Sequence, residues 1–121
     1  MHTQESSSEK LARTIAGFAS DIKALNIAIL DMRPVANFCD YFVVCSGTSQ
    51  RQVKAIAEGM EDGLKKEGIA VRFKQGYREG RWIILDLGSV VAHIFESDMR
   101  DFYGLEYLWK EAQRLEWSED S

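Results

Sequence analysis

The hairpin stretch that decides the fold of the second half of the chain reads Trp82-Ile83-Ile84-Leu85-Asp86-Leu87-Gly88-Ser89-Val90-Val91-Ala92-His93-Ile94-Phe95. Two apolar runs flank Gly88-Ser89, and glycine at the first position of a two-residue turn is typical of a type II′ β-hairpin. A turn at these two residues fixes the register of the strands at 82–87 and 90–95. It pairs Leu87 with Val90, Asp86 with Val91, Ile84 with His93, and Trp82 with Phe95.

The two faces of this hairpin differ in chemistry, because successive side chains of a strand point to opposite sides. One face is wholly apolar and is the predicted core face: Ile83, Leu85, Leu87, Val90, Ala92 and Ile94. The other combines aromatic, apolar, acidic and imidazole groups: Trp82, Ile84, Asp86, Val91, His93 and Phe95. Partner-binding patches use such mixtures, with Trp a favoured hot-spot residue. Residue types alone leave a second interpretation open, in which a helix covers this face and Trp82 is core.

The loop before the hairpin favours the docking interpretation, since it places an aromatic residue and two arginines (Tyr77, Arg78 and Arg81) next to Trp82. We therefore expect an aromatic anchor with a charged rim. The predicted partner-binding residues are Tyr77, Arg81, Trp82, Ile84, Asp86, Val91, His93 and Phe95.

The remaining elements follow from apolar periodicity. A first helix is expected to begin near Ser6, with a core stripe at helical spacing formed by Leu11, Ile15, Phe18, Ile22 and Leu25. Strands are expected at 27–32, 41–46 and 69–74, and a terminal helix is indicated by Leu105, Leu108, Trp109 and Ala112. The order α-β-β-α-β-β-β-α predicts an α+β fold with a mixed β-sheet flanked by helices.

A second helix is signalled by its cap. Ser49 is a good N-cap residue, Gln52 completes a capping box, and Gly68 is the expected end. Its predicted apolar face comprises Val53, Ile56, Ala57, Met60 and Leu64. Two glycines inside the helix, Gly59 and Gly63, suggest that another backbone packs closely there.

Composition limits the class of protein. The 121 residues are 45% hydrophobic and 28% charged with a net charge of −4, which is typical of one globular domain and not of a generic basic nucleic-acid binder. The chain has no apolar run near the roughly 20 residues that span a bilayer, and the first ten residues lack a signal-peptide apolar region. We therefore expect a cytoplasmic protein whose two cysteines stay reduced.

The residues offer little for catalysis. A nucleotidyltransferase needs two closely spaced carboxylates to hold Mg²⁺, and neither Asp31, Asp40 nor Asp86 has an acidic partner two positions on. Cys39, Cys45 and His93 fall short of a structural zinc site. The turn Gly47-Thr48-Ser49 has the form of an anion site, although a tight turn with an N-cap is the simpler interpretation. We expect no enzyme activity, no cofactor and no metal.

Several motifs resemble the Iojap family of ribosomal silencing factors. They are Asp40-Tyr41-Phe42-Val43-Val44-Cys45-Ser46-Gly47-Thr48-Ser49, then Arg51-Gln52-Val53 and Ile56-Ala57, then Gly76-Tyr77-Arg78-Glu79-Gly80-Arg81-Trp82-Ile83-Ile84-Leu85-Asp86-Leu87-Gly88, then Val90-Val91-Ala92-His93-Ile94-Phe95, and finally Phe102-Tyr103-x-Leu105-Glu106-x-Leu108-Trp109. The resemblance as a whole runs in order from about Glu9 to Trp109. Two departures are Gln75 and Ser89, each at a position where the family often has an acid.

The resemblance implies a single ribosomal silencing factor domain over residues 1–121, ordered from about 9 to 117, with a nucleotidyltransferase-like topology that lacks the catalytic carboxylates. It implies binding to ribosomal protein fourteen of the large subunit, which blocks the small subunit and represses translation, with Trp82 at the docking surface. Alternatives are a large-subunit assembly factor, or a degenerate nucleotidyltransferase using Ser49, Asp86 and a metal. An exposed hydrophobic sheet face could also pair with itself, so a homodimer that opens on docking is compatible with the sequence as well.

Overall fold

The computed structural model describes residues 7–98 and 112–115, which form two helices and six strands. In chain order these are α1 (Ser7–Asp21), β1 (Leu25–Asp31), β2 (Tyr41–Gly47), α2 (Gln50–Lys66), β3 (Phe73–Gln75), β4 (Trp82–Asp86), β5 (Val90–Glu96) and β6 (Gln113–Leu115). None of the helices in these two ranges is long and apolar enough to cross a membrane.

The strands form one mixed sheet in the order β3-β4-β5-β2-β1-β6. β2 and β5 run parallel at its centre, and the other described neighbours run antiparallel. A parallel pair needs a long crossover connection, which here contains α2, β3 and β4. The expected α+β fold with a mixed sheet is confirmed.

Both helices lie on one side of the sheet, which we call the helix face. There the buried residues of α1 (Ala12, Ile15, Ala16 and Ala19) and α2 meet the inward side chains of β1, β2, β4 and β5 in one core cluster. The opposite side is called the second face. Its own smaller cluster contains Leu30, Met32, Cys39, Phe42, Val44, Val91 and Phe95. The segment 32–40 covers part of the second face, since Val35 and Ala36 pack against that cluster.

Helix α2 forms as the sequence predicts. Ser49 is the N-cap, and its hydroxyl accepts a hydrogen bond from the Gln52 backbone N–H at 3.1 Å. The apolar face is buried at all five predicted positions, Val53, Ile56, Ala57, Met60 and Leu64. The chain leaves the helix through Gly68, whose φ of +75° is a conformation that costs glycine little.

The two glycines inside α2 do mark a close approach, although side chains and not a backbone approach them. A Cβ at Gly59 would lie 1.9 Å from Ile22 Cδ1, and one at Gly63 would lie 2.7 Å from the Phe18 ring. The glycines therefore bring α1 and α2 together without a gap between them.

The hairpin has the predicted register. Trp82 pairs with Phe95, Ile84 with His93, and Asp86 with Val91. Leu87 N–H donates to Val90 O at 2.9 Å, and Gly88 has a φ of +92°, as the first position of a II′ turn requires. The predicted apolar face is the helix face, on which Ile83, Leu85, Val90, Ala92 and Ile94 are fully buried.

Some local expectations need correction, and others concern residues that the structure does not describe. Leu25 belongs to β1, not to the stripe of α1, and it is 40% exposed because the helix ends at Asp21 and Lys23 adopts a φ of +68°. The strand expected at 69–74 is the short β3. Strand β6 was not predicted, and it pairs with β1. Ser6 and most of the terminal helix expected up to Ala112 lie outside the described residues.

Candidate docking surface

The second face holds six of the eight predicted partner-binding residues. Strand alternation and the hairpin register place three of them on β4 and three on β5: Trp82, Ile84, Asp86, Val91, His93 and Phe95. The β4 side chains are half-buried, whereas those of β5 are buried, with exposures of 8% for Val91, 6% for His93 and 0% for Phe95. The expectation of an open face therefore holds for β4 and is wrong for β5.

Position in the sheet explains this difference. β5 lies between β4 and β2, so its second-face side chains have neighbours on both sides. Phe42 and Val44 of β2 belong to the same buried cluster. β4 has only the three-residue β3 on its outer side, which leaves its side chains partly open to solvent.

Aromatic rings organise the exposed end of this surface. The Trp82 indole stacks on the Phe95 ring, with centroids 4.9 Å apart and an interplanar angle of 23°. Phe42 lies against the His93 imidazole at 4.4 Å. Stacked and tilted ring contacts of these kinds stabilise both partners and restrict ring orientation. The indole is therefore held against the Phe95 ring and remains half-buried.

The His93 imidazole accepts a side-chain hydrogen bond from Trp82. Its Nδ1 accepts from Trp82 Nε1–H at 3.1 Å, and its Nε2 is buried with no hydrogen-bond partner in the described structure. Burial lowers the pKa of His93 from 6.5 to about 4, so the imidazole is neutral at physiological pH.

Two exposed phenylalanines extend the apolar surface, and neither was singled out from the sequence. Phe73 is 59% exposed and pairs with Asp86, which places it on the second face. Phe38 is 61% exposed, and its ring lies 6.1 Å from that of Phe42. The alternation of β3 would have identified Phe73 once that strand's register was known. Phe38 lies in the irregular segment after Pro34, where no periodicity marks its direction.

Polar groups border the apolar surface. Asp86 Oδ1 accepts from the Gly88 N–H at 2.8 Å, which fixes the carboxylate beside the turn. The Arg72 guanidinium carbon lies 5.8 Å from the centre of the Phe73 ring, and Arg72 N–H donates to Asp86 O at 2.8 Å. Arg81 is exposed at the start of β4. The second face thus carries an acid fixed beside the turn and an arginine next to the Phe73 ring.

Tyr77 does not join this surface. Its side chain packs on the helix face, where its hydroxyl donates to Glu58 of α2. The Lys54 and Lys74 ammonium groups lie 5.8 Å and 4.5 Å from its ring centre. The expectation that Tyr77 is contiguous with Trp82 is therefore wrong, because the loop returns its aromatic ring to α2 before the chain enters β4.

The hydrogen bonds of the turn before α2 support a tight turn with an N-cap over an anion site. The Gln52 side-chain oxygen accepts hydrogen bonds from Thr48 N–H at 2.6 Å and from the Thr48 hydroxyl at 2.9 Å. Ser49 Oγ accepts a hydrogen bond from the Gln52 backbone N–H. These donors, which an anion would need, are already paired within the chain. The turn acts as a helix cap.

Catalytic chemistry finds little support among the described residues. Hydrogen bonds from Arg33 hold the pKa of Asp31 below its usual value, and the two form an ion pair at 2.7 Å. Burial raises the pKa of the Cys39 thiol to about 11, which makes it a poor nucleophile. Within residues 7–98 and 112–115, no group of three His, Cys, Asp or Glu side chains could hold a metal ion.

Comparison with known sequences gives a consistent result. The model of the family described as "Ribosomal silencing factor during starvation" matches residues 4–121. Proteins named "Ribosomal silencing factor RsfS" are 36% identical over 91% of this chain and 94% of their own in Halalkalibacterium halodurans, and 39% identical over 86% and 88% in Bacillus subtilis. A mouse protein named "Mitochondrial assembly of ribosomal large subunit protein 1" is 33% identical over 71% of this chain and 39% of its own.

Solved structures share the fold. A crystal structure from Bacillus halodurans superposes with a TM-score of 0.79, at 34% identity over 89% of this chain and 98% of that one. A crystal structure from Chromobacterium violaceum gives a TM-score of 0.84, at 29% identity over 93% of each chain.

Proposed function

Because the chain belongs to the ribosomal silencing factor family, we propose that it represses translation in the cytoplasm by binding the large ribosomal subunit. The proposed partner is ribosomal protein fourteen of that subunit, on the side where the small subunit docks. A body of 13.8 kDa at that place would exclude the small subunit sterically, so the mechanism needs no catalysis, cofactor or metal. A nucleotidyltransferase-like topology for this single domain is part of the same proposal.

The observation that carries the proposal is the half-open aromatic surface of β4. Trp82 is anchored on Phe95 and still reaches solvent, and the exposed Phe73 lies on the same face. A buried anchor with an accessible side, bordered by charged groups, is the pattern of an interface hot spot. We propose that Trp82, Ile84 and Asp86 contact the partner, with Arg81 at the rim.

The buried residues have a supporting role in this proposal. Phe95, His93 and Val91 have too little exposed area to contribute much contact. They form the floor on which the β4 side chains rest. Tyr77 lies on the helix face and is not included in the proposed contact.

Sedimentation with separated ribosomal subunits tests the proposal. The wild-type protein is expected to co-sediment with large subunits and not with small ones, and to reduce formation of the joined ribosome. Trp82→Ala should weaken large-subunit binding at least about thirtyfold, which corresponds to about 2 kcal/mol for loss of an anchor. Tyr77→Ala is the matched control, because it removes a half-buried aromatic side chain from the opposite face.

Circular dichroism should show both variants folded at the binding temperature. Equal binding by wild type and Trp82→Ala, with both proteins folded, would remove this surface from the proposal. Failure of the wild type to co-sediment would remove the proposed function.

A second candidate function is supported by the name of the mouse relative, which refers to assembly of the large ribosomal subunit. The same docking surface could serve a maturing particle. Profiles of ribosomal particles from a deletion strain separate the two functions. Accumulation of large-subunit precursors during rapid growth indicates assembly, whereas normal subunits that join too readily during starvation indicate silencing.

Two further alternatives, a homodimer and a degenerate nucleotidyltransferase, are distinguished by simple measurements. A homodimer through the second face would appear in sedimentation velocity of the free protein and would dissociate when large subunits are added. A degenerate nucleotidyltransferase would bind nucleotide with Mg²⁺ in calorimetry, and Ser49→Ala would abolish that binding.

A further inference from the structure

The contact between Trp82 and His93 joins two side chains that are diagonal neighbours across the hairpin. Trp82 pairs with Phe95 and Ile84 pairs with His93, so the indole reaches across to a residue two positions from its own partner. The Nε1–H of the indole donates to His93 Nδ1 at 3.1 Å, and the ring centres are 6.0 Å apart. Stacking on Phe95 and this hydrogen bond together fix the plane and direction of the indole.

This hydrogen bond also determines the tautomer of His93. An acceptor at Nδ1 requires the proton of a neutral imidazole to be on Nε2. Nε2 is buried and has no acceptor among the described residues. Burying an unpaired N–H opposes folding, so a phenyl ring in this place would suit the core better than an imidazole. The advantage of the imidazole over a phenyl ring here is the hydrogen bond that it accepts from Trp82.

The surroundings keep this acceptor available. The aromatic rings of Phe42, Trp82 and Phe95 lie within about 6 Å of the imidazole. Burial among such groups disfavours the imidazolium form, and its pKa is about 4. An imidazolium would carry a proton on Nδ1 and could not accept from the indole.

We infer that His93 is a positioning residue for docking: it holds the Trp82 indole by its N–H, so that the ring meets the partner through its carbon surface alone. This inference rests on the proposed function and refines it. The partner contact on Trp82 is apolar, and the partner supplies no hydrogen-bond acceptor to the indole. His93 acts through Trp82 and does not itself touch the partner.

Two substitutions separate positioning from a general structural role. His93→Phe keeps a buried ring and removes the acceptor. His93→Asn keeps an acceptor, because Oδ1 of asparagine can take the place of Nδ1. We expect His93→Phe to weaken large-subunit binding roughly tenfold while its melting temperature stays level or rises. We expect His93→Asn to recover most of the affinity even though it leaves a cavity.

A direct readout comes from nuclear magnetic resonance of the free protein. The chain has three tryptophans, so the Trp82 indole resonance is assigned through Trp82→Phe. In the wild type its Nε1–H should exchange slowly with solvent. Exchange should be much faster in His93→Phe and intermediate in His93→Asn. A merely structural role for His93 would change melting temperature without this selective change in one indole proton.

A double-mutant cycle tests whether His93 acts through Trp82. In a Trp82→Phe background the indole N–H is absent, so His93→Phe should weaken binding by less than twofold further. Binding of His93→Phe within twofold of wild type, or an equal loss in both backgrounds, overturns the inference. If the wild type does not bind large subunits, the proposed function fails. Fast exchange of the Trp82 indole proton in the free wild type instead overturns the positioning role alone.

Discussion

The two sides of the sheet are formed by the same strands but are covered by different elements. On the helix face, two helices cover an apolar layer in which the central strand residues are fully buried. On the second face, the smaller cluster is covered in part by the segment 32–40, and at β4 by stacked rings that remain partly open. The comparison teaches that the helix face serves stability throughout, whereas on the second face β4 keeps half-buried side chains while those of β2 and β5 are buried.

Ile83 and Ile84 give the sharpest test of this comparison, because identical neighbouring residues face opposite sides. Ile83 is fully buried on the helix face, and Ile84 is half-buried on the second face. Ile83→Ala should lower the free energy of unfolding by about 2–5 kcal/mol, measured by urea denaturation, and leave the affinity of the folded protein unchanged. Ile84→Ala should lower the free energy of unfolding by only about 1 kcal/mol and weaken large-subunit binding. The opposite assignment of the two effects would contradict the division of roles.

The free energy of unfolding should fall in acid, because the buried imidazole of His93 on the second face resists protonation. The pKa of His93 is about 4 in the folded chain and 6.5 as a reference for the unfolded chain, so the unfolded chain binds the proton more readily between these values. The contribution of neutral His93 to the free energy of unfolding is complete above about pH 6.5 and is lost as the pH falls towards 4. The total loss is about 3 kcal/mol.

The measurement is urea denaturation between pH 7 and pH 5, where roughly 2 kcal/mol of that stability should disappear. His93→Phe is the control, since it lacks the titrating group and should show a shallower dependence on pH. Parallel curves for the two proteins would show that His93 is not the source of the acid sensitivity.

How much of this arrangement the sequence predicts depends on whether the signal is local. The register of β4 with β5 was predictable because a two-residue turn at Gly88 and strand alternation fix it. Helix α2 was predictable because Ser49 and Gly68 mark its ends. In each case the deciding residues lie within the element or next to it in sequence.

The burial of β5 on the second face was not predictable in this way. It depends on Phe42 and Val44, brought alongside by a parallel pairing, and on the segment 32–40 folding over them. The side taken by Tyr77 depends on its contact with Glu58 of α2. Neither neighbour is close in sequence, so residue types around the hairpin could identify the candidate surface but not its covered part.

Removal of the helix cap should affect stability without affecting recognition. Ser49→Ala deletes the hydroxyl that accepts from the Gln52 N–H, and it should cost about 1 kcal/mol of unfolding free energy. Large-subunit binding by the folded protein should stay unchanged, because the cap lies at the start of a helix-face element. Thermal denaturation and co-sedimentation on the same preparations check both halves. A loss of binding without a loss of stability would place the turn at Gly47 in the interface.

The smallest expected effect concerns charge on the second face. Gln75 pairs with Ile84 on the second face and is exposed. Gln75→Glu should tighten binding to a basic ribosomal protein about twofold at low salt, with the gain reduced near physiological ionic strength. Glu79→Gln is the matched control for a charge change of equal size in the preceding loop. Weaker binding by Gln75→Glu would show that the partner surface opposite β3 is not basic.

The parallel pairing of β2 with β5 has a consequence for synthesis of the protein. Tyr41 meets Val90 and Gly47 meets Glu96, so the centre of the sheet closes only after a large part of the chain has been made. Pairings between residues so distant in sequence form slowly. A growing chain that has not yet emerged as far as Glu96 has neither the floor under Trp82 nor the strand that holds it. The proposed docking surface is therefore completed only after synthesis has passed Glu96.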